Sequence, residues 1–498
     1  MKQRILFWFT SEFTHFCLAN SLQKKINCEI SAISDVTKKT KGFFVNQNLL
    51  NLKNYWNFPD SVSTDKTDID YDYLESFEKK YGINLWNLAI NERIFYRFFN
   101  FYEFSAEKIC SIIENECKFF EKVLDDVKPD FFISKEPIRH HHHLMYLICE
   151  RKNIPLLILS RTNLGTKVLL SQKPGIFDSN FELSDTEKSS RTLNELQDYL
   201  DKISISKSLK KYRENQTSSF FNAGLKYLFS DTSDTKNNYY YFGRTKFKVL
   251  FETLRSLANK KSRRKFIDRY LVHNPELKLP FIYFPLHVDM ERNLLISAPY
   301  YTNQIELIRH IAKSLPMGQK LFVKESPASV TRDWRKISDY KEIMNIPNVT
   351  LIHPSFPAKK LLENCSLVIT VAGSSGFEAA FNNKPSIVFS EVGYENLSSV
   401  FRVENIENFH NVLKNALEKS VNVSELDQFL KFMENNTIDF DWFDFEKKFN
   451  KEFYHDGNLF NIEIPVEKMT VFLNENAGLM DSLALKHVEK IQWFDQNG

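Results

Sequence analysis

Short apolar runs alternate with longer amphipathic stretches over the first 170 residues. The predicted strands are residues 5–9 (ILFWF), 28–34, 130–135 (DFFISK) and 154–160 (IPLLILS). The predicted helices run up to about residue 25, over about 70–127 and over 140–151. Apolar runs this short and continuous are typical of strands buried on both faces, so the alternation predicts a parallel sheet covered by helices.

The same alternation returns after residue 276 and is clearer there. The predicted strands are residues 281–288, 320–324, 349–353, 367–371 and 386–390. The predicted helices are residues 303–314, 359–364, 375–382 and 406–419. The pattern therefore predicts a second doubly wound α/β domain, and the aromatic-rich residues beyond it are expected to be helical.

We predict an α/β protein in which two Rossmann-like domains face a central cleft. The predicted parts are an N-terminal domain at 1–170, a linker or insert at 171–275, a second domain at 276–420 and a helical C-terminal tail at 421–498. In open sheets of this kind, ligands bind outside the carboxyl ends of the strands. The residues that follow each strand are therefore the first candidates for chemistry.

The composition argues against a nucleic-acid coat or an acidic disordered scaffold. The 498 residues carry 66 Lys and Arg against 63 Asp and Glu, and 43% of them are apolar. Six scattered cysteines form no C-x-x-C pair, which indicates reduced thiols. The sequence shows no signal-peptide core and no apolar run of about 18 residues. We expect a cytoplasmic protein without a nucleic-acid partner, held at most on the inner face of the cytoplasmic membrane.

A basic segment ends the predicted linker. Residues 244–269 carry ten Lys and Arg against two acidic residues, with Phe247, Leu250, Phe251 and Leu254 interleaved among them. An amphipathic helix is predicted, and it has two interpretations. In the first, the charged residues form a solvated helix face. In the second, they contact an anionic lipid surface or a polyanionic acceptor.

A small-residue turn joins a predicted strand to a predicted helix at residues 370–380 (TVAGSSGFEAA). Gly373 and Gly376 allow a ligand to approach the backbone, and the free N–H groups of a helix start attract a phosphate. The alternative is a capping box that needs no ligand, because Ser375 and Glu378 have S-x-x-E spacing. The turn has the spacing of neither a Walker A loop nor a dinucleotide fingerprint.

Polar residues at the ends of two other predicted strands should share an edge with this turn. Lys324 ends one strand, and His353 and Pro354 follow another. Together with the hydroxyls of Ser374 and Ser375, these groups predict a pocket for a nucleotide phosphate. Taken alone, His353 is better explained as a hydrogen-bonded strand end.

The order of these motifs resembles the capsule polysaccharide biosynthesis family, which comprises GT-B glycosyltransferases related to bacterial Kdo transferases. The motifs are PLHVDMER (285–292), Gln304, LFVKESP (321–327), HPS (353–355), TVAGSSGFEAA (370–380), KPSIVF (384–389) and VFRV (400–403). The resemblance covers about 280–405 well and 130–170 more weakly. The His-Pro and Ser-Ser motifs are also similar to those of bacterial sialyl- and polysialyltransferases. Ser326 departs from the pattern, because the family often has His there.

The resemblance implies a GT-B-like fold and a surface-polysaccharide glycosyltransferase. It implies transfer of a 2-keto sugar acid, Kdo or a sialic-acid-like sugar, from a CMP-activated donor to a glycan or glycolipid acceptor. Neither a metal nor a cofactor beyond this donor is predicted. The implied donor-binding residues are Lys324, His353, Pro354, Gly373, Ser374, Ser375, Gly376 and Glu378.

The resemblance also implies where the reaction takes place. Glu291 and His287 match an Asp and a Gln of the Kdo-transferase relatives. Glu291 as a nucleophile would give a covalent glycosyl-enzyme and retention, with His287 as an acid or a ligand of the sugar carboxylate. Inversion would need a general base from the N-terminal domain instead, and Glu12 and Glu136 are the candidates.

Four consecutive histidines, His140 to His143, invite a metal assignment. Only His140 and His143 share a face of the predicted helix, and no Cys or further His stands at ligand spacing. A polar helix face, or acceptor binding near Glu136, is the preferred interpretation.

Other functions have the same predicted fold. A UDP- or GDP-hexose transferase and a nucleotide-sugar 2-epimerase both remain open, because fold alone does not separate them from a CMP-sugar transferase. A binding subunit without enzymatic activity is disfavoured by the set of polar groups expected at one sheet edge.

Overall fold

The computed structural model describes residues 2–62, 68–183, 190–203, 238–326 and 335–497. The contacts divide these residues into two compact units. Unit 1 holds the described residues of Met1–Asp178, Ser204–Lys248 and Asn436–Gly498, and unit 2 those of Ser179–Ile203 and Val249–Asn435. The chain therefore returns to unit 1 after residue 436.

Strands and helices alternate over most of the residues that the structure describes. Up to residue 178 the elements are β1 (Gln3–Thr10), α1 (Thr14–Leu22), β2 (Cys28–Asp35), α2 (Lys38–Asn46), β3 (Leu52–Asn57), α3 (Phe58–Ser61), α4 (Tyr71–Tyr81), α5 (Leu85–Ile90), α6 (Ala106–Val127), β4 (Phe131–Lys135), α7 (His140–Arg151), β5 (Leu156–Arg161) and β6 (Lys167–Ser171). From residue 190 to 324 they are α8 (Leu193–Ile203), a 3₁₀ turn (Tyr239–Tyr241), α9 (Lys246–Tyr270), β7 (Phe281–Pro285), α10 (Arg292–Leu295), a 3₁₀ turn (Pro299–Tyr301), α11 (Gln304–Ser314) and β8 (Lys320–Lys324).

The remaining elements complete unit 2 and then unit 1. From residue 335 to 435 they are α12 (Ile337–Met344), β9 (Val349–Ile352), α13 (Ala358–Asn364), β10 (Leu367–Thr370), α14 (Ser375–Phe381), β11 (Ser386–Val388), β12 (Val400–Arg402), a 3₁₀ turn (Ile406–Asn408), α15 (Phe409–Leu417) and α16 (Val423–Asn435). After residue 436 they are β13 (Ile438–Asp439), α17 (Trp442–Phe453), α18 (Val466–Glu475) and α19 (Ala477–Asn497).

The sheet of unit 1 has the strand order β13-β6-β5-β4-β1-β2-β3. Strands β1 to β5 are parallel, and the order β3-β2-β1-β4-β5 is that of a Rossmann fold with its switch point between β1 and β4. The four predicted strands are parallel as expected, and the sheet has two further, antiparallel strands at one side, β6 and β13. Only a short turn joins β5 to β6, and a parallel pair needs a crossover of a dozen residues or more.

Strand β1 shows why its sequence is apolar without interruption. Ile5, Phe7 and Phe9 pack into one core cluster, which also contains apolar residues of α17, α18 and α19. Leu6 and Trp8 pack on the opposite face of the sheet among residues of α4 to α7. Successive side chains of a strand point to opposite faces, so a strand covered on both sides needs apolar residues at every position.

The sheet of unit 2 has the order β12-β11-β10-β7-β8-β9, and all of its described pairs are parallel. It is again a Rossmann arrangement, with the switch point between β7 and β10. Ile282 and Phe284 pack in one core cluster, and Phe281 and Tyr283 pack in another on the opposite face. The prediction of two Rossmann-like α/β units with C-terminal helices is confirmed.

Helix α9 carries its large apolar side chains on the exposed side. These residues are Phe247 (91% exposed), Leu250 (47%), Phe251 (64%), Leu254 (61%) and Leu257 (58%). The half-buried positions of the same turns are mostly polar, among them Glu252 and Ser256. None of the described helices has both the length and the apolar character that a bilayer-spanning helix requires.

Candidate functional site

His287 lies at the switch point of the unit 2 sheet, just after β7. Its Nε2 lies 2.9 Å from the hydroxyl of Thr370 at the end of β10, and that hydroxyl accepts a 3.2 Å hydrogen bond from the Gly373 N–H. The backbone of His287 is held by the Gln304 side chain through bonds of 2.8 and 3.0 Å. Burial lowers the pKa of His287 to about 4, so the ring is neutral at neutral pH.

The two glycines of the turn leave room for neighbouring side chains. A Cβ atom at Gly373 would lie 2.8 Å from the His287 ring and 2.7 Å from the Thr370 hydroxyl. A Cβ atom at Gly376 would lie 2.6 Å from the hydroxyl of Tyr394, which donates a 2.5 Å hydrogen bond to the Gly373 carbonyl. Both glycines are therefore required by packing around the turn, whether or not a ligand binds there.

The capping box predicted as the alternative for Ser375 and Glu378 is not formed. Helix α14 begins at Ser375, and Ser374 is the N-cap residue without a side-chain cap. The Ser374 hydroxyl donates to the Glu378 carboxylate over 2.9 Å, and desolvation raises the pKa of that carboxyl. Ser374 is exposed and Ser375 is half-buried. The helix therefore begins at these two serines without the reciprocal side-chain-to-backbone hydrogen bonds of a capping box.

A buried ion pair, which the sequence reasoning missed, supports the loop after β7. Arg335 donates to both carboxylate oxygens of Glu325, at 2.8 and 2.9 Å, and Glu325 also accepts from the Tyr340 hydroxyl at 2.7 Å. The second nitrogen of Arg335 donates to the His287 carbonyl at 2.5 Å and to Asp289 at 2.9 Å. The charges of Glu325 and Asp289 hold the pKa of Arg335 above its ordinary value despite desolvation.

The other predicted donor-site residues lie farther along the same sheet edge. Lys324 ends β8 and is buried, and desolvation lowers its pKa to about 8. His353 and Pro354 follow β9 at the edge of the sheet. The His353 ring bonds to Asp268 at 3.1 Å and to Ser355 at 2.6 Å, and it stacks on His273. The described contacts thus join His287, and not His353, to the glycine-serine turn.

Glu291 lies four residues after His287, at the start of the short helix α10. It is the N-cap residue of this helix, and its backbone N–H donates to the Val288 carbonyl over 3.1 Å. Its side chain is half-buried. The loop that carries Glu291 is the same loop that Arg335 and Gln304 fix at His287. Its role in the reaction stays a prediction.

Unit 1 has a cavity of about 260 Å³ at its own switch point, beyond the carboxyl ends of β1, β2 and β4. The polar groups in its lining include Thr10, Glu12, Asp35, Thr37, Lys135 and Arg139, and Tyr241 and Phe460 add aromatic surface. Glu12 forms an ion pair with Lys135. Among the described residues, Glu12 belongs to this lining and Glu136 does not. Pockets of this mixed character suit a small polar ligand.

The histidine run lies inside unit 1, so its interpretation as a polar helix face is wrong. His140, His141 and His142 are 4%, 0% and 2% exposed. Their helix α7 packs beneath the sheet, where the His142 ring stacks on Trp8 with centroids 4.6 Å apart. Sequence periodicity could not predict the burial of these histidines, because the polar groups that form hydrogen bonds with their rings belong to elements distant in the chain.

Two of these histidines also satisfy the spacing of a metal site. Ligand atoms of Glu116, His140 and His141 all lie within 4.8 Å of one another. Both ring nitrogens of His140 are hydrogen-bonded to carboxylates, those of Glu92 (2.9 Å) and Glu116 (3.0 Å). These carboxylates raise the pKa of His140 to about 10 although burial opposes the charge, so the ring is protonated and is a poor ligand.

Comparison with known families identifies part of the chain. Residues 186–431 match the family described as "Capsule polysaccharide biosynthesis protein". This part of the chain is therefore similar to the capsule polysaccharide biosynthesis family. The match includes the glycine-serine turn, His287 and Glu291, and it confirms the resemblance carried by the sequence motifs. This similarity supports a glycosyltransferase role in capsule polysaccharide synthesis.

Solved structures with similar folds share little sequence with the chain. The KpsC beta Kdo 2,7 transferase of Thermosulfurimonas dismutans is 10% identical, with 62% of this chain and 79% of that chain covered and a TM-score of 0.30. A UDP-GlcNAc 2-epimerase of Methanocaldococcus jannaschii is 13% identical, with coverages of 87% and 100% and a TM-score of 0.24. Likenesses this distant say nothing about substrate. No curated protein matches the chain.

Proposed function

We propose that this protein, part of which is similar to the capsule polysaccharide biosynthesis family, is a glycosyltransferase that uses a CMP-activated 2-keto sugar acid. The donor phosphate would bind at Gly373, Ser374 and Ser375, and a glycan or glycolipid would accept the sugar. The observation that carries the proposal is the contact of His287 with the glycine-serine turn at the switch point of unit 2.

The surroundings of the turn suit an anionic nucleotide. Backbone N–H groups at the start of α14 and the Ser375 hydroxyl would supply hydrogen-bond donors for a phosphate, and the Ser374 hydroxyl would join them by turning from Glu378 to the ligand. Lys324 supplies a cation on the same sheet edge, and with a pKa of about 8 it is mostly charged at neutral pH. His287 is neutral there, so we assign it to binding the sugar acid and not to proton donation.

Simultaneous replacement of Ser374 and Ser375 by Ala tests the donor site. We expect affinity for CMP to fall on the order of 100-fold, because the phosphate loses two hydrogen bonds worth about 1.5 kcal/mol each. Isothermal titration of the full chain measures the effect, and Ser338→Ala, an exposed serine of α12 in the same unit, is the matched control. Unchanged affinity of the double variant would mean that the turn only begins a helix.

We also propose a peripheral contact with the cytoplasmic membrane through helix α9. Its exposed Phe and Leu side chains, flanked by Lys and Arg, would enter the interface of an anionic bilayer. Flotation with vesicles tests this. Binding to vesicles that contain phosphatidylglycerol is expected, with loss in Phe247→Ser/Phe251→Ser, and equal binding of wild type to purely zwitterionic vesicles would contradict it.

A further inference from the structure

The cavity of unit 1 contains an arginine whose side-chain donors are unused. Arg139 follows the end of β4, and it lines the cavity. Its guanidinium lies over the ring of Tyr240, 3.8 Å from the ring centre. None of the hydrogen bonds and ion pairs among the described residues involves the Arg139 side chain. Because the N–H donors of a guanidinium lie in its plane, packing on a ring leaves them available to a ligand.

Trp8 supplies a second donor without a partner. This residue is 0% exposed and lines the same cavity, and its indole N–H has no acceptor among the described residues. Buried polar groups of native proteins nearly always have a hydrogen-bond partner, so an orphaned donor calls for a bound water or a ligand. The cavity therefore has donors available for a ligand that is rich in acceptors.

Two carboxylates of the lining present acceptors to the same space. Asp35 is the last residue of β2, and its side chain is 18% exposed. The His141 ring bonds to Asp35 through Nε2 and to the Tyr240 hydroxyl through Nδ1, each at 3.1 Å, so the Asp35 carboxylate is held in place. Glu12 forms an ion pair with Lys135, and its side chain is 26% exposed. An ionised carboxylate only accepts hydrogen bonds, so both groups suit the hydroxyls of a ligand.

The charges of the lining determine which anion fits beside Arg139. Lys135 and Glu12 balance each other in their ion pair. Desolvation opposes the charge of Arg139, but nearby acidic groups, Asp35 among them, raise its pKa above the ordinary value. A ligand with two negative charges would be repelled by Asp35, whereas a single carboxylate can bind along the edge of the guanidinium. The lining therefore favours a monoanion.

The size and the aromatic surface of the cavity suit one sugar ring. Its volume of about 260 Å³ lies just below the range of roughly 300–1,000 Å³ that is usual for drug-sized ligands. Phe460, which is 43% exposed, and the half-buried Tyr241 both belong to the lining. Their rings offer flat apolar surface for the C–H groups of a sugar. A ring that carries hydroxyls and one carboxylate matches all of these features.

We propose that the cavity of unit 1 binds one residue of a sugar acid, with the carboxylate on Arg139 and hydroxyls on Asp35 and Glu12. The site consists of residues of unit 1 alone, so the proposal does not depend on the donor or the reaction proposed for unit 2. A free sugar acid and the terminal residue of an acidic glycan present the same groups to the cavity.

Isothermal titration of the full chain without nucleotide tests the site. The probes are glucuronate and galacturonate, with glucose and galactose as their neutral counterparts. We expect an acid to bind at least about tenfold more tightly than its neutral counterpart, because only the acid has a carboxylate for Arg139. Arg139→Gln should lower the affinity for the acid on the order of 10- to 100-fold, and Arg139→Lys should keep part of it. Arg151→Gln, at an exposed position in the last turn of α7, is the matched control.

Stability measurements separate a binding arginine from a structural one. The Arg139 side chain makes no described hydrogen bond, so Arg139→Gln should unfold in urea at the same denaturant concentration as Arg151→Gln. A large loss of stability in Arg139→Gln alone would mean that Arg139 supports the fold, and it would overturn the proposal.

The titrations can also overturn the proposal directly. Equal affinities for acid and neutral sugars would do so, as would unchanged binding of the acid by Arg139→Gln or no binding of either acid at millimolar concentrations. Tighter binding of glucose 6-phosphate than of glucuronate would refute the choice of a monoanion. A disaccharide that ends in glucuronate, compared with glucuronate itself, distinguishes the end of a glycan from a free acid. Failure of CMP to bind would refute the function proposed for unit 2 and leave these results unaffected, because the titrations contain no nucleotide.

Discussion

Replacing Glu291 by Gln is expected to abolish sugar transfer, with a decrease on the order of 10³-fold or more if this carboxylate is the nucleophile. The amide keeps the size of the side chain but cannot form a glycosyl ester. The loop after β7 should keep its shape, because Gln304 and Arg335 hold it through the His287 backbone and not through Glu291. Affinity for CMP should therefore stay the same.

Two measurements test the role of Glu291. Product stereochemistry should show retention in the wild type, and intact mass spectrometry after mixing with donor should show a glycosyl adduct that is missing in Glu291→Gln. Glu306→Gln on α11, a half-exposed carboxylate of the same unit, is the matched control. Near-wild-type transfer by Glu291→Gln would show that Glu291 is not the nucleophile. Inversion would then be expected, with Glu12 and Glu136 as the predicted candidates for the base.

Replacing Arg335 by Met is expected to lower the free energy of unfolding of unit 2 by about 3–5 kcal/mol, the range for breaking a buried ion pair on one side. Glu325 is 0% exposed and would lose its cationic partner, although the Tyr340 hydroxyl and the Ser326 N–H still donate to it. The loop at His287 would also lose two hydrogen bonds. Urea unfolding, combined with hydrogen exchange of β7 and β8 peptides, measures the loss.

The control for this prediction is another arginine of unit 2. Arg309 pairs with Glu306 and Glu342 on a half-exposed surface, so Arg309→Met should cost at most about 1 kcal/mol. Replacing both buried partners, in Arg335→Met/Glu325→Leu, should recover much of the stability because no buried charge is then left unpaired. If Arg335→Met and Arg309→Met lower the free energy of unfolding equally, the buried Arg335–Glu325 pair stabilises unit 2 no more than a surface pair does, and the prediction is wrong.

The fold could be predicted well where burial dictates the sequence. Strands β1 and β10 are covered on both faces, so their residues are apolar at consecutive positions and the pattern is unambiguous. Strand β3 and the two-residue β13 lie at the edges of their sheet, and they were not predicted because an edge strand needs no such pattern. Antiparallel β6, which lies between β13 and β5, was also missed.

The candidate site was predictable only in part. The glycine-serine turn and His287 follow buried strands directly, so the rule that ligands bind beyond strand ends finds them. The same rule would have found Asp35, which comes immediately after the predicted strand 28–34. Arg335 and His141 carry no such signal, because their partners Glu325 and Asp35 are brought to them by the tertiary fold.

Unit 2 is proposed to bind a CMP-activated donor, and stabilisation of the full chain by nucleotides is the decisive test. Thermal unfolding would be followed in parallel with CMP, UDP and GDP at equal concentrations. We predict stabilisation by CMP alone, by roughly 2.7 kcal/mol at 100 times the dissociation constant. Stabilisation by UDP or GDP without CMP would contradict the claim and indicate a hexose transferase or a nucleotide-sugar 2-epimerase.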